Sequence, residues 1–449
     1  MRGAPKRKSP ESTLIRGRFE RSTISGVSAA PNGQVARLHR GCGQRTHVPR
    51  LLAILTTFGL LAGCGSATAT HGAATTVLPA PASCATTVAS TLGTVAAHVY
   101  HEAATGGDVA QAVHRVQSST ALAGAIASGN SAAAHAALGA LMLNQIVRVE
   151  VLRGGRVFAQ AGSGPAIAPV DGSIPGTSAT FVLSVQADRT YLQVVRQVTG
   201  AQVLLLAHGR RLSGTIGGAP PANGPGAGPL ILAGQSYQSF TLTGAVYPSG
   251  PLRIMLLVPS ATISCPGSPT QARVETLGHV GERIYREELH SQSVAATLHH
   301  IESSTSFQRA VAAGDATAAR AAIVGFFGQH IHVVRVRVTI GSRLLIDLGG
   351  PFVLAPVHGT LRSGGRVVGH FTMAIQDDAG YLKLAHLFTG AEVLMRTGGR
   401  QVQGTLSPGP ATVPDHGEVA YRGRSYQAYS FSGEAFPSGP LRISLLLPA

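Results

Sequence analysis

Tryptophan is absent from this 449-residue chain, and lysine occurs only at Lys6, Lys8 and Lys383, every other basic residue being arginine. That bias is typical of high-GC coding and carries no function of its own. The common catalytic signatures are missing too. The segment "GHVGERIYREE" holds His279 and Glu282 but not the H-E-x-x-H pairing of a zinc-protease helix. There is no G-x-S-x-G elbow, and neither Cys84 nor Cys265 has a histidine close by in sequence. Acidic residues number 20, and the adjacent pair Asp377-Asp378 cannot flank a glycosidic bond from two sides. "GGAPPANGPGAGP" (217–229) lacks the Lys-Ser/Thr ending of a phosphate loop. An enzyme is therefore not expected. His299-His300 and the pair His330 and His332 show no fixed ligand spacing, so no metal and no cofactor is expected either.

Long apolar runs are also lacking. The longest, "LLAILTTFGLLAG" (51–63), falls short of the roughly 20 residues a membrane-spanning helix needs. It has the length of a signal-peptide core, and Arg50 stands just before it. The closing residues Leu61-Ala62-Gly63-Cys64 resemble the lipobox of bacterial lipoproteins. The resemblance implies cleavage before Cys64 and acylation of its thiol, which would hold the protein on the outer face of the membrane. Residues 1–63 read as leader and signal peptide, with translation expected to start near Val48. They carry 11 Lys/Arg and 2 Asp/Glu, more than half of the net charge of +16. The remainder is mildly basic, so nucleic acid is not an expected partner. Residues 64–83, rich in Ser, Ala, Thr and Pro, read as a flexible tether.

With Cys42 ahead of the cut and Cys64 acylated, Cys84 and Cys265 remain. Two leftover cysteines in an exported protein often pair. The sequence leaves open whether these do.

The chain repeats itself. "SGPLRIMLLVP" (249–259) returns as "SGPLRISLLLP" (438–448), and "GQSYQSF" (234–240) as "GRSYQAY" (423–429). "AIAPVDG" (166–172) matches "VLAPVHG" (353–359). The near-constant offset divides the chain into homologous units at 84–260 and 261–449. Each unit opens with a 3.6-residue apolar stripe, as in "RVETLGHVGERIYREELHSQSVAATLHHIESS", and Ser119, Asn130, Ser304 and Asp315 suit helix N-caps. The period then shortens to 2 in "IHVVRVRVTI" and "VVGHFTMAIQD", with a short helix predicted at 380–388. Helices followed by a mainly antiparallel meander make each unit α+β.

A long leading helix, then "VVRVRVTIGSRLLIDLGGP" and "GGRVVGHFTMAIQDDAGY", resembles the extracytoplasmic PAS-like sensor modules called Cache domains. The resemblance implies a small-ligand pocket beside the sheet, and each unit holds one elaborated module or two. Such sensors usually continue into an output domain, and none is recognisable here, so a membrane signalling or transport partner is expected to carry any signal. By the same resemblance, the ligand would lie near Asp377, Asp378, Tyr381 and Lys383, and near Asp188 and Tyr191 in the first unit. The plainer reading of these residues is a capped helix whose tyrosine packs on the sheet. "SGPLRI" likewise has two readings, Arg253 and Arg442 gripping an anion or a tight turn with an edge arginine. The expected function is capture of a small ligand by a membrane-anchored lipoprotein. The alternative is a structural or protein-docking envelope lipoprotein with solidly filled sheets.

Overall fold

The computed structural model describes residues 83–142, 146–218, 226–265, 267–328 and 333–449. Cys64, the leader before it and the tether up to residue 82 lie outside the described residues, as do His330 and His332. Among the described residues no helix is long and apolar enough to cross a membrane.

The fold is α+β, with two similar units, each placing helices ahead of antiparallel sheets. In the first repeat the helices are α1 (Cys84–Thr105), α2 (Gly107–Gln117), α3 (Thr120–Ala127) and α4 (Ser131–Met142). Side-chain caps start α1, α3 and α4: Ser83 accepts from Thr86 N, Ser119 from Leu122 N, and Asn130 from Ala133 N, while α2 begins after Gly106 without one. There follow β1 (Arg148–Arg153), β2 (Arg156–Gly162), β3 (Ala166–Ile167), β4 (Val170–Ser173), β5 (Ala179–Ser184) and β6 (Gln186–Ala187). Helix α5 (Asp188–Thr199) leads into β7 (Gln202–Ala207), β8 (Arg210–Gly214), β9 (Ala227–Leu232), β10 (Gln235–Tyr247) and β11 (Gly250–Pro259).

The second repeat reproduces this with α6 (Pro269–His290), α7 (Gln292–Ser303), α8 (Thr305–Ala312) and α9 (Ala316–Gly328). The stripe that reads as one helix in sequence is broken at Ser291, which caps α7 through Val294 N. The strands are β12 (Arg335–Ile340), β13 (Arg343–Gly349), β14 (Val353–Leu354), β15 (Val357–Ser363), β16 (Arg366–Ala374) and β17 (Gln376–Asp377). Then come α10 (Asp378–Thr389), β18 (Glu392–Thr397), β19 (Arg400–Gly404), β20 (His416–Tyr421), β21 (Arg424–Phe436) and β22 (Gly439–Pro448).

Each repeat holds two sheets. The small one has the order β2-β1-β5-β4, matched by β13-β12-β16-β15. The large one runs β6-β3-β10-β11-β7-β8, matched by β17-β14-β21-β22-β18-β19, with β9 and β20 paired to the long strands β10 and β21. The chain crosses between sheets at the repeated Ala-Pro. Ala168 and Ala355 take left-handed φ values of 53° and 52°. Their N–H groups donate to Ala245 and Glu434 of the large sheet before β4 and β15 join the small one. Alanine's single methyl keeps the strain of this backbone to about 1–2 kcal/mol.

The small sheets have separate cores, Phe181 and Leu138 in one, Phe371 and Phe307 in the other. On one face the large sheets instead share a core with α1, α5, α6 and α10 of both repeats, including Tyr191, Ile254, Tyr381 and Ile443, and on the other face each has a small core of its own. The aromatic contacts repeat as well. Gly93 and Gly278 lie where a Cβ would fall inside the rings of Phe240 and Tyr429 respectively, so each leading helix rests on an aromatic of its own large sheet. Across the repeats His98 Nδ1 lies 3.2 Å from the Phe388 carbonyl, and Arg283 donates to the Thr199 carbonyl. A disulfide joins Cys84 to Cys265, with Cα atoms 5.7 Å apart, tying the start of α1 to the link between the repeats.

Candidate functional site

The residues singled out in sequence around α10 and α5 are drawn into the protein itself. Asp377 accepts from Gly380 N at 2.7 Å and caps α10. Asp378 accepts from Ala379 N and from Gln403 Nε2 at 3.0 Å. Tyr381 is buried, and its hydroxyl donates to the Gly281 carbonyl of α6 at 3.0 Å. Tyr191 is its counterpart, buried and donating to Ala96 at 3.1 Å. Burial pushes both phenols far up, so they stay protonated. Asp188 sits in the first turn of α5, and Lys383 is exposed on α10. None of the six lines either cavity described here.

The polar groups that do converge on open space lie on the outer face of the second repeat's small sheet. Period-2 alternation puts Val336, Val338, Phe371 and Met373 into the core and turns the residues between them outward. Strand register aligns the outward side chains in two rows. Asp347, Arg337, Thr372 and His358 form the first, and Thr339, His370 and Thr360 form the second. All of them except Asp347 line a cavity of about 320 Å³. His358 Nδ1 lies 3.1 Å from Thr372 Oγ1, and Thr360 Oγ1 lies 3.4 Å from His370 Nδ1.

Arg337 is fixed at one edge of this face. Its Nε and Nη2 donate to Asp347 Oδ2 at 2.9 and 2.7 Å, and Arg335 donates to both oxygens of the same carboxylate at 2.8 Å. Hydrogen bonds from Arg335, and then Arg337, hold the Asp347 carboxyl below its ordinary range against the opposing effect of burial. One carboxylate thus serves two guanidiniums at this edge, while at the opposite edge Thr360 N donates to Glu302 Oε1 at 3.2 Å.

The first repeat builds the same face with opposite chemistry. The register places Gln160, Glu150, Val182 and Asp171 in one row, and Leu152, Thr180 and Ser173 in the other. Two carboxylates replace the guanidinium and an imidazole, and aliphatic groups replace two of the threonines. The alternation was visible in "RVRVTI" and "GHFTM", but the adjacency of His358, Thr360, His370 and Thr372 follows from strand pairing, which sequence spacing does not carry. Among the described residues no group of three or more His, Cys, Asp and Glu is placed to hold a metal ion.

No protein-family model matches the chain, and no curated protein matches it. It is similar to several solved structures. One is the periplasmic domain of Vibrio cholerae LuxQ, at 13% identity, covering 39% of this chain and 100% of that one, with a TM-score of 0.27. Another is an extracellular ligand binding receptor from Desulfohalobium retbaense, at 10% identity, covering 49% and 47%, with a TM-score of 0.26. A third is the ligand-binding domain of the Pseudomonas fluorescens chemoreceptor CtaA in complex with L-alanine, at 9% identity, covering 38% and 97%, with a TM-score of 0.23. At TM-scores this low, the likenesses carry no argument about what this chain binds.

Proposed function

We propose that this protein is an extracytoplasmic lipoprotein, anchored to the membrane through Cys64, that binds a small anionic ligand without chemically altering it. The supporting observation is the outer face of the second repeat's small sheet. There a fixed guanidinium, two imidazoles and three threonine hydroxyls line one cavity. Carboxylate-bearing small molecules match this donor set, since guanidinium–carboxylate bonds are charge-assisted and directional. The Cys84–Cys265 disulfide supports an oxidising compartment. A membrane signalling or transport partner would carry the signal onward.

The test uses the full chain with Cys64→Ser, to keep it unacylated, in a thermal-shift screen of amino acids, organic acids and their neutral amides. A ligand at 100 times its Kd adds about 2.7 kcal/mol of stability. A carboxylate hit that disappears in Arg337→Gln supports the reading. A panel without hits, or a hit that survives the substitution, overturns it. Anchoring is read separately: the wild type should sediment with membranes and the Cys64→Ser chain should not.

The docking alternative has its own observation. Val324 and Phe327 on α9 are 55% and 38% exposed, and Leu344 on the neighbouring β13 is 53% exposed. A blank ligand screen would shift the function to this surface.

A further inference from the structure

The large sheet of the second repeat carries a second cavity, distinct from the small-sheet face and independent of its role. It encloses about 440 Å³ between the turn at Gly398-Gly399, the segment 411–413 and the adjoining ends of β21 and β22. Small-molecule sites typically measure about 300–1,000 Å³.

Two guanidiniums dominate its wall. Arg396 on β18 and Arg442 on β22 are direct register partners, and Ser432 on β21 stands opposite Arg442 in turn. Like charges placed directly opposite across antiparallel strands destabilise a sheet. The countercharge is small. Asp415 reaches Arg442 at 2.7 Å but is 77% exposed, and Arg396 donates to the uncharged carbonyl of Pro410. The Nε atoms of both arginines are buried without a hydrogen-bond partner. Burial, and then the charge of Arg442, lower the pKa of Arg396, the expected strain of a cation lacking its anion. The first repeat does not share the arrangement, since Arg253, the counterpart of Arg442, has Leu206 as its register partner. A turn-and-edge role for "SGPLRI" accounts for Arg253 and Arg442 alike. It does not account for a second arginine set against one of them.

We propose that Arg396 and Arg442 bind a phosphate-type oxyanion, either free or as the phosphomonoester end of a small molecule, and that Asp415 competes with it for Arg442. Two planar guanidinium forks side by side present paired N–H donors to a tetrahedral oxyanion, the geometry at which arginine excels. Ser432 and Thr412 border the cavity and add hydroxyl donors.

Titration calorimetry of the full Cys64→Ser chain at fixed ionic strength tests this, with inorganic phosphate and glycerol phosphate as probes and chloride and glycerol as controls. At least one phosphate probe should bind once per chain. Arg396→Leu, which installs the first repeat's own pairing, should weaken binding by about tenfold or more. Arg442→Gln should do the same, with circular dichroism confirming that each variant folds. Asp415→Asn should tighten binding several-fold, because it removes the competitor. Tighter binding of glycerol phosphate than of phosphate identifies a phosphomonoester, and equal binding a free oxyanion. No heat from either phosphate probe, or an affinity unchanged in Arg396→Leu, would overturn the proposal.

Discussion

Arg337 lies over the ring of Phe436 with its guanidinium carbon 4.5 Å from the ring centroid, which locks the small sheet of the second repeat onto the end of its large sheet. Arg335 stacks on the same ring at 5.0 Å. In the first repeat the equivalent ring is Tyr247, whose hydroxyl is hydrogen-bonded to Glu150, the counterpart of Arg337, while Arg148 sits 4.9 Å from the ring centroid. The same joint between sheets is made twice, once with two cations on a phenyl ring and once with one cation on a phenol ring whose hydroxyl meets an anion. Each cation–π contact contributes about 0.5–2 kcal/mol.

Replacing Asp347 should loosen that joint. Asp347→Asn removes the carboxylate that serves both Arg335 and Arg337, and the expected loss is about 1–3 kcal/mol by urea unfolding at pH 7. The difference from wild type should depend on pH in one direction. The folded pKa is depressed, so this stability is present above the unfolded value of about 3.9 and fades as pH falls through the lower folded value. Equal stabilities of the two proteins at pH 7 would refute the role.

Alkaline behaviour should show the contribution of Tyr429, one of several phenols with raised pKa. Burial first, and then the charge of Glu282, push its phenol up to about 12. Its hydroxyl lies 3.1 Å from His279 Nδ1, in a cluster that the first repeat, with Phe240 at this place, does not build. A raised phenol pKa gives stability that is complete below the unfolded value of about 10 and is lost as pH climbs through the folded value. Tyr429→Phe should therefore make the fall in stability above pH 10 less steep, the other raised phenols keeping their share. Absorbance at 295 nm should show one late-titrating tyrosine fewer.

Gly278→Ala should be among the most damaging single-methyl changes in the chain. The new Cβ meets the ring of Tyr429, and overpacking of this kind costs about 1–3 kcal/mol. Adding Tyr429→Ala should recover part of the loss, and a double-mutant cycle by thermal unfolding measures the coupling.

Reduction should lower stability without dismantling the shared core. Cys84 and Cys265 are separated by 181 positions, and opening a bridge of that span removes about 2–5 kcal/mol in the chain-entropy view. A melting temperature that falls with dithiothreitol in wild type, and does not respond in Cys84→Ser/Cys265→Ser, is the expected pattern.

The repeat itself is written in the sequence. Near-identical strings such as "SGPLRIMLLVP" and "SGPLRISLLLP", held at an almost constant offset, force the same elements to form twice. Local capping chemistry and the switch of period from 3.6 to 2 determined the helices and most strands, because both depend on neighbours within a few residues. Strand pairing is non-local, so tertiary structure alone decided the rest. "VVGHFTMAIQD" reads as one strand, yet the chain leaves the small sheet after Ala374 and joins the large one at Gln376. In sequence, Tyr381 and Asp377 fit a ligand site or, more plainly, a capped helix with a packed tyrosine, and in the fold they are a core hydroxyl and a helix cap. His358 and His370 are unremarkable 12 positions apart in sequence. They share a cavity because β15 pairs with β16, β16 pairs with β12, and all three aim alternate side chains to one side of the small sheet. The opposed arginines Arg396 and Arg442, 46 residues apart, face each other for the same reason, the register of β18 on β22.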